Sequence, residues 1–588
     1  MNGRASACLV GLALGAGLVA CGSGADATPA AEAMAEALES GVFDDVPLAN
    51  ATPSDVSAEV EEITGGMGET SRAVELADID RTGGDDTREA TFEVAWALAD
   101  TEDEWIYTTT ASLEFTGEEW LVEWSRSTLH PRLEDGGRLA LRTSQAERGD
   151  VLAADGTPIV TERPVFRIGI DKTTLDGADP DSSAAELAAA VGVDPDGFAD
   201  RVEASGPKAF VEAITYREDD AEAVLPELDK IAGARAIPGT MALAPTREFA
   251  RPVLGTVGEA TAEIVEDSDG QINPGDVVGL SGLQQQYDEQ LRGQRGIAVE
   301  LIPADGDPEV VFERDATPGD AVTTTLDIDL QLHAERVLAD VGPASALVAV
   351  QPSTGNVLAA ASGPGGDGYA TATLGEYAPG STFKIVTALA MMRAGITPDT
   401  HLTCPETTAV DGKRFKNYDD YPDAALGNIA FTDAIAHSCN TALIDQRDTV
   451  TQADLADAAG SLGLGLANPG VPAFAGAVPV EADTTEHAAS MIGQGKVLAS
   501  PLAMATVAAS VAAGQTVVPT LIQGADTLPE SDPAPLSEDE AGQLRTMMRA
   551  AVDYGSATFL GDVPGEPVGA KTGTANTAPT THPAPTAG

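Results

Sequence analysis

Three short motifs contain residue types and spacings that could perform acyl chemistry. They are Ser381-Thr382-Phe383-Lys384, Ser438-Cys439-Asn440 and Lys571-Thr572-Gly573-Thr574, and they hold two of the eight lysines in this 588-residue chain. A serine hydroxyl becomes a nucleophile when a neighbouring base takes its proton, and a lysine can be that base only while its amine is uncharged. The motifs therefore predict an activated serine.

A helix is predicted to position the first motif. Pro379-Gly380 interrupts the chain before Ser381, and the run to Ala394 has helical apolar spacing with a stop at Gly395. Residues three apart lie on one helix face with Cβ atoms roughly 5–6 Å apart, so the Lys384 amine can reach the Ser381 hydroxyl. The amine accepts a proton only if burial and a neighbouring cation lower its pKa, and Lys571 is the candidate cation.

A second Ser-x-x-Lys sequence, Ser205-Gly206-Pro207-Lys208, provides an internal comparison. We interpret Ser205 as a helix N-cap with Pro207 in the first turn, ahead of an amphipathic helical run from Ala209 to Tyr216. No partner motif follows this copy at a suitable spacing, so it is interpreted as structural.

The other two motifs are weaker when each is considered alone. Ser438 and Asn440, 57 and 59 residues after Ser381, suit a proton relay and a clamp on a substrate amide, although such a tripeptide is also typical of caps and turns. Lys571, Thr572 and Gly573 suit a strand that binds a carboxylate-bearing peptide at its edge, whereas the alternative is an exposed turn. Their joint occurrence favours a single site.

Because of these three motifs, the C-terminal half resembles a class B penicillin-binding protein. Further similar phrases are Thr325-Leu326-Asp327, a hairpin from Ala346 to Ala361 that turns at Pro352-Ser353-Thr354-Gly355, and Gly493-Gln494-Gly495 followed by Ser500-Pro501-Leu502. The resemblance implies a transpeptidase fold similar to that of serine β-lactamases, with an antiparallel sheet flanked by helices. It also implies a D,D-transpeptidase that cross-links peptidoglycan stem peptides through an acyl-serine and is inhibited covalently by β-lactams.

The resemblance also implies a role for each motif residue. Ser381 would be the nucleophile, Lys384 its base and Ser438 the relay. Asn440 would hold the substrate amide, Lys571 and Thr572 would bind the terminal carboxylate, and the N–H groups of Ser381 and Thr574 would form the oxyanion hole. The implied catalytic residues are Ser381, Lys384 and Ser438, and the implied substrate-binding residues are Asn440, Lys571, Thr572, Gly573 and Thr574.

Two regions before this half resemble accessory domains of the same family, so an α+β multidomain chain is predicted. Residues 30–145 contain period-two strands such as Phe92-Val94-Trp96-Leu98 and Trp120-Val122-Trp124, interpreted as a sheet core, and end like a nuclear-transport-factor-2-like domain of methicillin-resistance-type proteins. Residues 146–315 open with Arg148-Gly149-Asp150-Val151-Leu152 and resemble the dimerisation or pedestal domain. Residues 316–588 would be the transpeptidase domain.

The N-terminus has the pattern of an export signal. Residues 1–21 hold one basic residue, an apolar stretch and Leu18-Val19-Ala20-Cys21, which resembles a lipobox with Cys21 as the lipidated residue. Residues 22–29 would be a tether. The alternative is an uncleaved transmembrane anchor. Either interpretation predicts a membrane-attached protein whose catalytic region lies outside the cytoplasm.

Composition excludes some partners. The chain has 93 Asp and Glu against 33 Lys and Arg, a net charge of −60, which disfavours nucleic acid. Six scattered histidines and few cysteines show no ligand-like spacing, so no metal and no cofactor are predicted. Export permits a disulfide between Cys404 and Cys439, but two buried free thiols are the favoured prediction.

The sequence departs from the family after Lys571-Thr572-Gly573. The family has two more strands and a helix there, whereas this sequence has 15 residues rich in Thr, Pro and Ala, with prolines at 579, 583 and 585. Such a segment cannot form an interior strand. The expectation is therefore a truncated or frame-shifted transpeptidase domain that ends after the Lys-Thr-Gly strand.

Three functions remain open at this stage. The leading hypothesis is the transpeptidase, with stem peptides, β-lactams, the membrane and other cell-wall synthesis proteins as partners. A β-lactamase or a D,D-carboxypeptidase would use the same three motifs, although the two preceding domains argue against a lactamase. The third hypothesis is a catalytically impaired β-lactam sensor or scaffold, which the short C-terminal segment would explain.

Overall fold

The structure is a computed structural model that describes residues 26–68, 70–98, 104–268, 270–466, 468–525 and 534–574. The predicted signal segment and the lipidated Cys21 lie outside the described residues. No helix in the described ranges combines the length and the apolar character that a membrane crossing requires. The chain divides into two compact units, one of residues 1–145, 262–273 and 295–316 and one of residues 146–261, 274–294 and 317–588.

Helices and strands occur in both units. The helices are α1 (Thr28–Ser40), α2 (Pro53–Thr64), α3 (Arg126–Leu129), α4 (Pro180–Val191), α5 (Pro195–Ala204), α6 (Glu218–Ala221), α7 (Leu225–Leu228), α8 (Arg251–Leu254), α9 (Ala262–Asp267), α10 (Gly282–Gln286), α11 (Asp288–Arg292), α12 (Ile328–Leu338), α13 (Thr371–Leu374), α14 (Lys384–Arg393), α15 (Phe431–Ala436), α16 (Asn440–Ile444), α17 (Gln452–Ser461), α18 (Thr484–Ser490), α19 (Pro501–Ala513) and α20 (Glu538–Asp553). The strands are β1 (Ser71–Arg81), β2 (Thr87–Ala97), β3 (Glu104–Phe115), β4 (Trp120–Val122), β5 (Arg138–Ser144), β6 (Val151–Leu152), β7 (Pro158–Asp171), β8 (Phe210–Arg217), β9 (Ala234–Leu243), β10 (Val257–Glu259), β11 (Val277–Gly279), β12 (Gly296–Ile302), β13 (Glu309–Arg314), β14 (Val322–Thr323), β15 (Ala346–Val350), β16 (Val357–Ser362), β17 (His401–Cys404), β18 (Thr407–Val410), β19 (Lys413–Lys416) and β20 (Gly427–Ala430).

The first unit contains two antiparallel sheets, ordered β1-β2-β3-β4 and β13-β12-β5. The predicted alternation is present in β2, where Phe92, Val94 and Trp96 are buried and the residues between them are less so. Period-two strands bury one face in this way because successive side chains point to opposite sides of the sheet. Helix α1 begins at Thr28, so the last residues of the predicted tether are helical.

The largest sheet of the second unit is built around β7, which pairs with β6, β8 and β9. All but the first of residues 209–216, predicted as a helix, instead lie in β8 alongside β7, and Ser205 ends α5 rather than capping a new helix. The helix prediction was wrong because β-branched and aromatic residues such as Val211, Ile214 and Tyr216 suit a paired strand, and pairing with a distant strand overrides a local pattern.

The region of the three motifs is mainly helical. Helix α14 is buried along most of its length, from Lys384 to Met391, and is the central helix of a core that includes residues of α15, α17, α19 and α20. The predicted stop is confirmed, since α14 ends at Arg393 and Gly395 adopts φ +92°. The predicted hairpin is also confirmed as the two-stranded sheet of β15 and β16. Ser381, however, lies in a 3-10 turn, Gly380–Phe383, that precedes α14.

Lys571–Thr574 lies in no strand of the described chain, so the prediction of a Lys-Thr-Gly strand was wrong. A strand needs a ladder of backbone hydrogen bonds with a neighbour. Next to this segment, the described residues provide one backbone bond, from Ala570 N to Met548 O at 3.0 Å in α20. The segment is held mainly by side-chain contacts, which are described below.

Cys404 and Cys439 form a disulfide, so the prediction of two free thiols was wrong. Cys404 ends β17 and Cys439 directly precedes α16, and the fold brings their Cα atoms to 6.4 Å. This distance lies in the usual range for a disulfide. The 35 residues that separate the two cysteines in sequence hid this proximity.

Replacing both cysteines by alanine is expected to lower the free energy of unfolding by about 3–4 kcal/mol, because the cross-link restricts a 35-residue loop in the unfolded chain. Urea unfolding of the two proteins measures the difference. As a control, a reductant should destabilise the parent protein and leave the double variant unchanged. A difference below about 1 kcal/mol would contradict this expectation.

Candidate active site

Two glycines allow the first motif to adopt its position. Gly380 has φ +54° and donates its N–H to Gly493 O at 2.8 Å. Gly493 has φ +68°, and a Cβ on it would lie 2.2 Å from Gly380 O. Glycine suits both positions, because positive φ strains other residues, and the close approach at Gly493 leaves no room for a Cβ. The contact fixes the start of the 3-10 turn that carries Ser381.

Ser381 and Lys384 lie on the same side of the chain despite the change from the predicted α-helix to a 3-10 turn, because residues i and i+3 eclipse in that geometry. Ser381 is partly exposed, whereas Lys384 is fully buried. In the described part of the chain, Ser381 Oγ makes no hydrogen bond, so it is free to meet a ligand.

The Lys384 amine is held by three oxygen acceptors in the second motif. Its Nζ donates to Ser438 O at 2.8 Å, to Ser438 Oγ at 3.1 Å and to Asn440 Oδ1 at 2.6 Å. An ammonium group has three donors, so these contacts use all of them. For the amine to accept a proton from Ser381, one of them must be released, and the Ser438 hydroxyl can do this by rotating to donate.

Ser438 Oγ lies between two lysines. It accepts from Lys384 Nζ at 3.1 Å and from Lys571 Nζ at 2.9 Å. Ser438 also has φ +60°, an unusual conformation for a residue other than glycine. The hydroxyl is therefore positioned to pass a proton between the two amines.

The third motif is packed against the first. Thr572 Oγ1 and Ser556 Oγ are 2.9 Å apart, and a Cβ on Gly573 would lie 2.8 Å from the Thr382 methyl group. Glycine at 573 thus allows the segment to approach the turn that carries Ser381. In the described residues, the backbone N–H groups of Ser381 and Thr574 donate to no acceptor.

Burial lowers the pKa of both lysines. Burial, with a further effect of the nearby Lys571 cation, holds the pKa of Lys384 well below its ordinary value. Burial lowers the pKa of Lys571 to about 7. Two amines that share one hydroxyl disfavour double protonation, so the neutral Lys384 that a nucleophilic serine requires becomes accessible.

Replacing Lys571 by methionine is expected to raise the pKa of Lys384, because a neighbouring cation that opposes its protonation is removed. Since the reaction needs neutral Lys384, the acidic limb of the acylation profile should move to higher pH. The measurement is the rate of β-lactam acylation from about pH 5 to about pH 10. Lys413, exposed on β19, provides the control variant Lys413→Met. A limb that stays in place or moves to lower pH would contradict the assigned coupling.

Two side chains that hold residues of this site in place were not predicted from the sequence. Asn417 is a buried asparagine whose Oδ1 accepts the N–H of Asn440 at 2.8 Å, and Ser556 holds Thr572. Neither belongs to a recognisable motif, and no signal in the sequence indicates them. Gly493 stood in a phrase used for the resemblance, but its contact with Gly380 depends on the fold.

The site brings together a free serine, a buried lysine of lowered pKa, a bridging hydroxyl and a second lysine on a glycine-containing segment. This arrangement suits serine acyl transfer of the Ser-x-x-Lys type. Family models match nearly the whole described chain: an NTF2-like N-terminal transpeptidase domain at residues 26–137, a penicillin-binding protein dimerisation domain at 143–324 and a penicillin-binding protein transpeptidase domain at 345–586. The chain belongs to the class B penicillin-binding proteins.

Curated relatives agree with this membership. Penicillin-binding protein 3 of Bacillus subtilis is 25% identical over 352 residues, which is 55% of this chain and 50% of that protein. Peptidoglycan D,D-transpeptidase PbpA of Mycolicibacterium smegmatis is 31% identical over 270 residues, 39% of this chain and 54% of that protein. The chain thus spans about half the length of the curated relatives that it matches.

A solved structure shares the fold. It is a complex between penicillin-binding protein PBP2 and MreC from Helicobacter pylori, with a TM-score of 0.58 at 18% identity. The match covers 75% of this chain and 90% of that one. At this level of identity the likeness concerns the fold, a multidomain α+β architecture, and the sequence prediction of that fold class is confirmed.

Proposed function

We propose that this protein is a serine-type D,D-transpeptidase that cross-links peptidoglycan stem peptides and is acylated by β-lactams. One observation carries the proposal: Ser438 Oγ accepts hydrogen bonds from both Lys384 and Lys571, beside a serine with a free hydroxyl. Two curated relatives, PbpA and MrdA, are named peptidoglycan D,D-transpeptidases, which supports the same substrate class.

The first step is acylation of Ser381. Neutral Lys384 takes the hydroxyl proton as the serine oxygen attacks the carbonyl carbon of the penultimate D-Ala. The bond between that carbon and the nitrogen of the terminal D-Ala then breaks. The proton that Lys384 gained reaches this leaving nitrogen through the Ser438 hydroxyl, which contacts both amines. In a β-lactam the bond that breaks is the ring amide, and its nitrogen stays attached.

The remaining motif residues would bind the substrate. Protonated Lys571 and the Thr572 hydroxyl suit a terminal carboxylate. The N–H groups of Ser381 and Thr574 have no acceptor in the described residues and could stabilise the oxyanion. Asn440 would clamp the substrate amide while its Oδ1 holds Lys384. In the second step the amine of another stem peptide attacks the acyl carbon and the ester bond to Ser381 breaks. The proton that this amine loses returns to Ser381 Oγ.

The acceptor distinguishes this function from its alternatives. The protein is incubated with a peptide ending in D-Ala-D-Ala and a D-amino acid as a simple amine acceptor, and products are separated by mass. Exchange of the terminal residue is the expected result. Release of free D-Ala by water alone would indicate a D,D-carboxypeptidase, and rapid turnover of benzylpenicillin would indicate a β-lactamase. If the protein shows neither exchange nor hydrolysis and forms no adduct, the result would indicate a binding or scaffold protein.

We further propose that the protein is exported and attached to the cell membrane through a lipid on Cys21. The sequence Leu18-Val19-Ala20-Cys21 supports the lipid attachment, and substrates in the cell wall require export. The variant Cys21→Ser should leave the membrane fraction and appear in the soluble fraction. Its retention in the membrane fraction would instead support the uncleaved transmembrane anchor. Other cell-wall synthesis proteins are proposed partners, as a neighbour in fold was solved with MreC.

A further inference from the structure

Asn417 is a buried side chain that the proposed chemistry does not use. It directly follows β19 and is 5% exposed. Its Oδ1 accepts the backbone N–H of Asn440 at 2.8 Å and that of Thr441 at 3.3 Å, and its Nδ2 donates to Pro405 O at 3.2 Å. One carboxamide therefore ties the start of α16 to the chain that follows β17.

The segment held in this way includes a strained turn. Ser438 has φ +60°, and a left-handed conformation at a residue other than glycine persists only where the surroundings enforce it. The residue before Asn417 contributes as well, because Lys416 O accepts from Asn440 Nδ2 at 2.8 Å. Residues 416 and 417 thus fix both the backbone and the side chain of Asn440.

The Asn440 side chain in turn holds the amine of the site. Its Nδ2 is bound to Lys416 O, which turns Oδ1 toward Lys384, and Oδ1 accepts from Nζ at 2.6 Å. This is the shortest of the three contacts of that amine. A displacement of Asn440 therefore moves an acceptor directly from Lys384.

We propose that Asn417 is a positioning residue for acylation of Ser381 and that it acts through Asn440 on Lys384. The inference rests on the proposed function. Among the described hydrogen bonds, Asn417 makes none to Ser381 or Lys384, so its contribution is to the geometry of the acceptors and not to proton transfer itself.

Other contacts also hold this turn. The turn can therefore stay folded when the Asn417 side chain is removed, and a loss of positioning can be told apart from a loss of folding. The disulfide between Cys404 and Cys439 joins the same two segments, and Thr441 Oγ1 donates to Pro405 O at 2.7 Å. These links keep residues 439–441 close to 404–405 without the Asn417 carboxamide. They do not bind the N–H of Asn440, so the orientation of Asn440 depends on Asn417.

The test measures acylation by a fluorescent penicillin in stopped flow, which separates the acylation step k2 from the non-covalent constant Ks. For Asn417→Ala we expect k2 to fall at least about tenfold, since a displaced acceptor alters the geometry around Lys384, with a smaller rise in Ks, because Asn440 also holds the substrate amide. The rate k2 belongs to the folded fraction, whereas misfolding lowers the amplitude. A poorly folding variant therefore still reports on the proposal.

Two further variants distinguish a loss of positioning from a loss of stability in the turn. Thr441→Val removes a buried hydrogen bond to the same Pro405 carbonyl but leaves the acceptors of Lys384 in place, so its k2 should stay within about twofold of the parent value. Asn417→Asp keeps an oxygen for the N–H of Asn440 but loses the donor to Pro405 O and adds a negative charge at a buried position. Its k2 should therefore lie between those of the parent and Asn417→Ala.

The outcomes are distinct. If the parent protein forms no adduct, the proposed function fails. If the parent forms an adduct and Asn417→Ala reacts with an unchanged k2, the function stands and the positioning role of Asn417 is overturned. An equal loss of k2 in Thr441→Val would also overturn it, because the effect would then belong to the stability of the turn.

Discussion

Replacing Ser381 by alanine is expected to abolish the covalent adduct with benzylpenicillin. The side chain that forms the ester is removed, while the turn Gly380–Phe383 keeps its backbone contact with Gly493. Loss of a serine nucleophile lowers turnover by about 10⁶-fold in an enzyme where the nucleophile and base act as a unit. Intact-mass analysis after exposure to benzylpenicillin shows the adduct directly, and peptide mapping locates it.

The second Ser-x-x-Lys sequence offers a matched control. Ser205 Oγ donates to Val202 O at 2.7 Å and accepts from Lys172 Nζ at 3.2 Å, at the end of α5. Ser205→Ala should be labelled as fully as the parent protein. If Ser381→Ala still gained the mass of the antibiotic, or if the label mapped to another residue, the assignment of the nucleophile would be wrong.

Replacing Lys384 by methionine is expected to lower the acylation rate by about 10³–10⁴-fold, because the general base is lost. Methionine fills a similar volume in the buried position, so α14 should keep its packing. The measurement is the single-turnover acylation rate with a fluorescent penicillin, with far-ultraviolet circular dichroism to show that the fold is retained.

Lys172 provides the matched control for this change. Its amine also donates to three oxygens, Val202 O, Ser205 O and Ser205 Oγ, in a part of the second unit that contains none of the three motifs. Lys172→Met should acylate at the parent rate even if its stability falls. A Lys384→Met rate within about tenfold of the parent value would show that another group takes the serine proton.

Local patterns in the sequence were sufficient for several structural predictions. The break at Pro379-Gly380 and the stop at Gly395 bound the helical segment that carries Ser381 and Lys384. The alternation of Phe92, Val94 and Trp96 predicted the buried face of β2. These features depend on residues that are neighbours in the chain, so steric preference and side-chain periodicity decide them.

Other predictions failed because distant parts of the chain decided the outcome. All but the first of residues 209–216 lie in β8 because β7 offers a ladder partner. The cysteines became a disulfide because β17 and the start of α16 meet in the fold. In the first unit, β12 pairs with β5 across more than 150 residues of sequence, which no local period indicates.

The sequence by itself determined the residue types of the site, their order and the resemblance that assigns their chemistry. The tertiary structure alone decided the pKa values of the two lysines in the site. Lys384 reaches Ser438 across 54 residues of sequence, and Lys571 reaches the same hydroxyl across 133. Burial and the approach of like charges lower the pKa of an amine, and both are properties of packed chains. The same reason hid Asn417, whose role depends on a turn that is distant in sequence and adjacent in space.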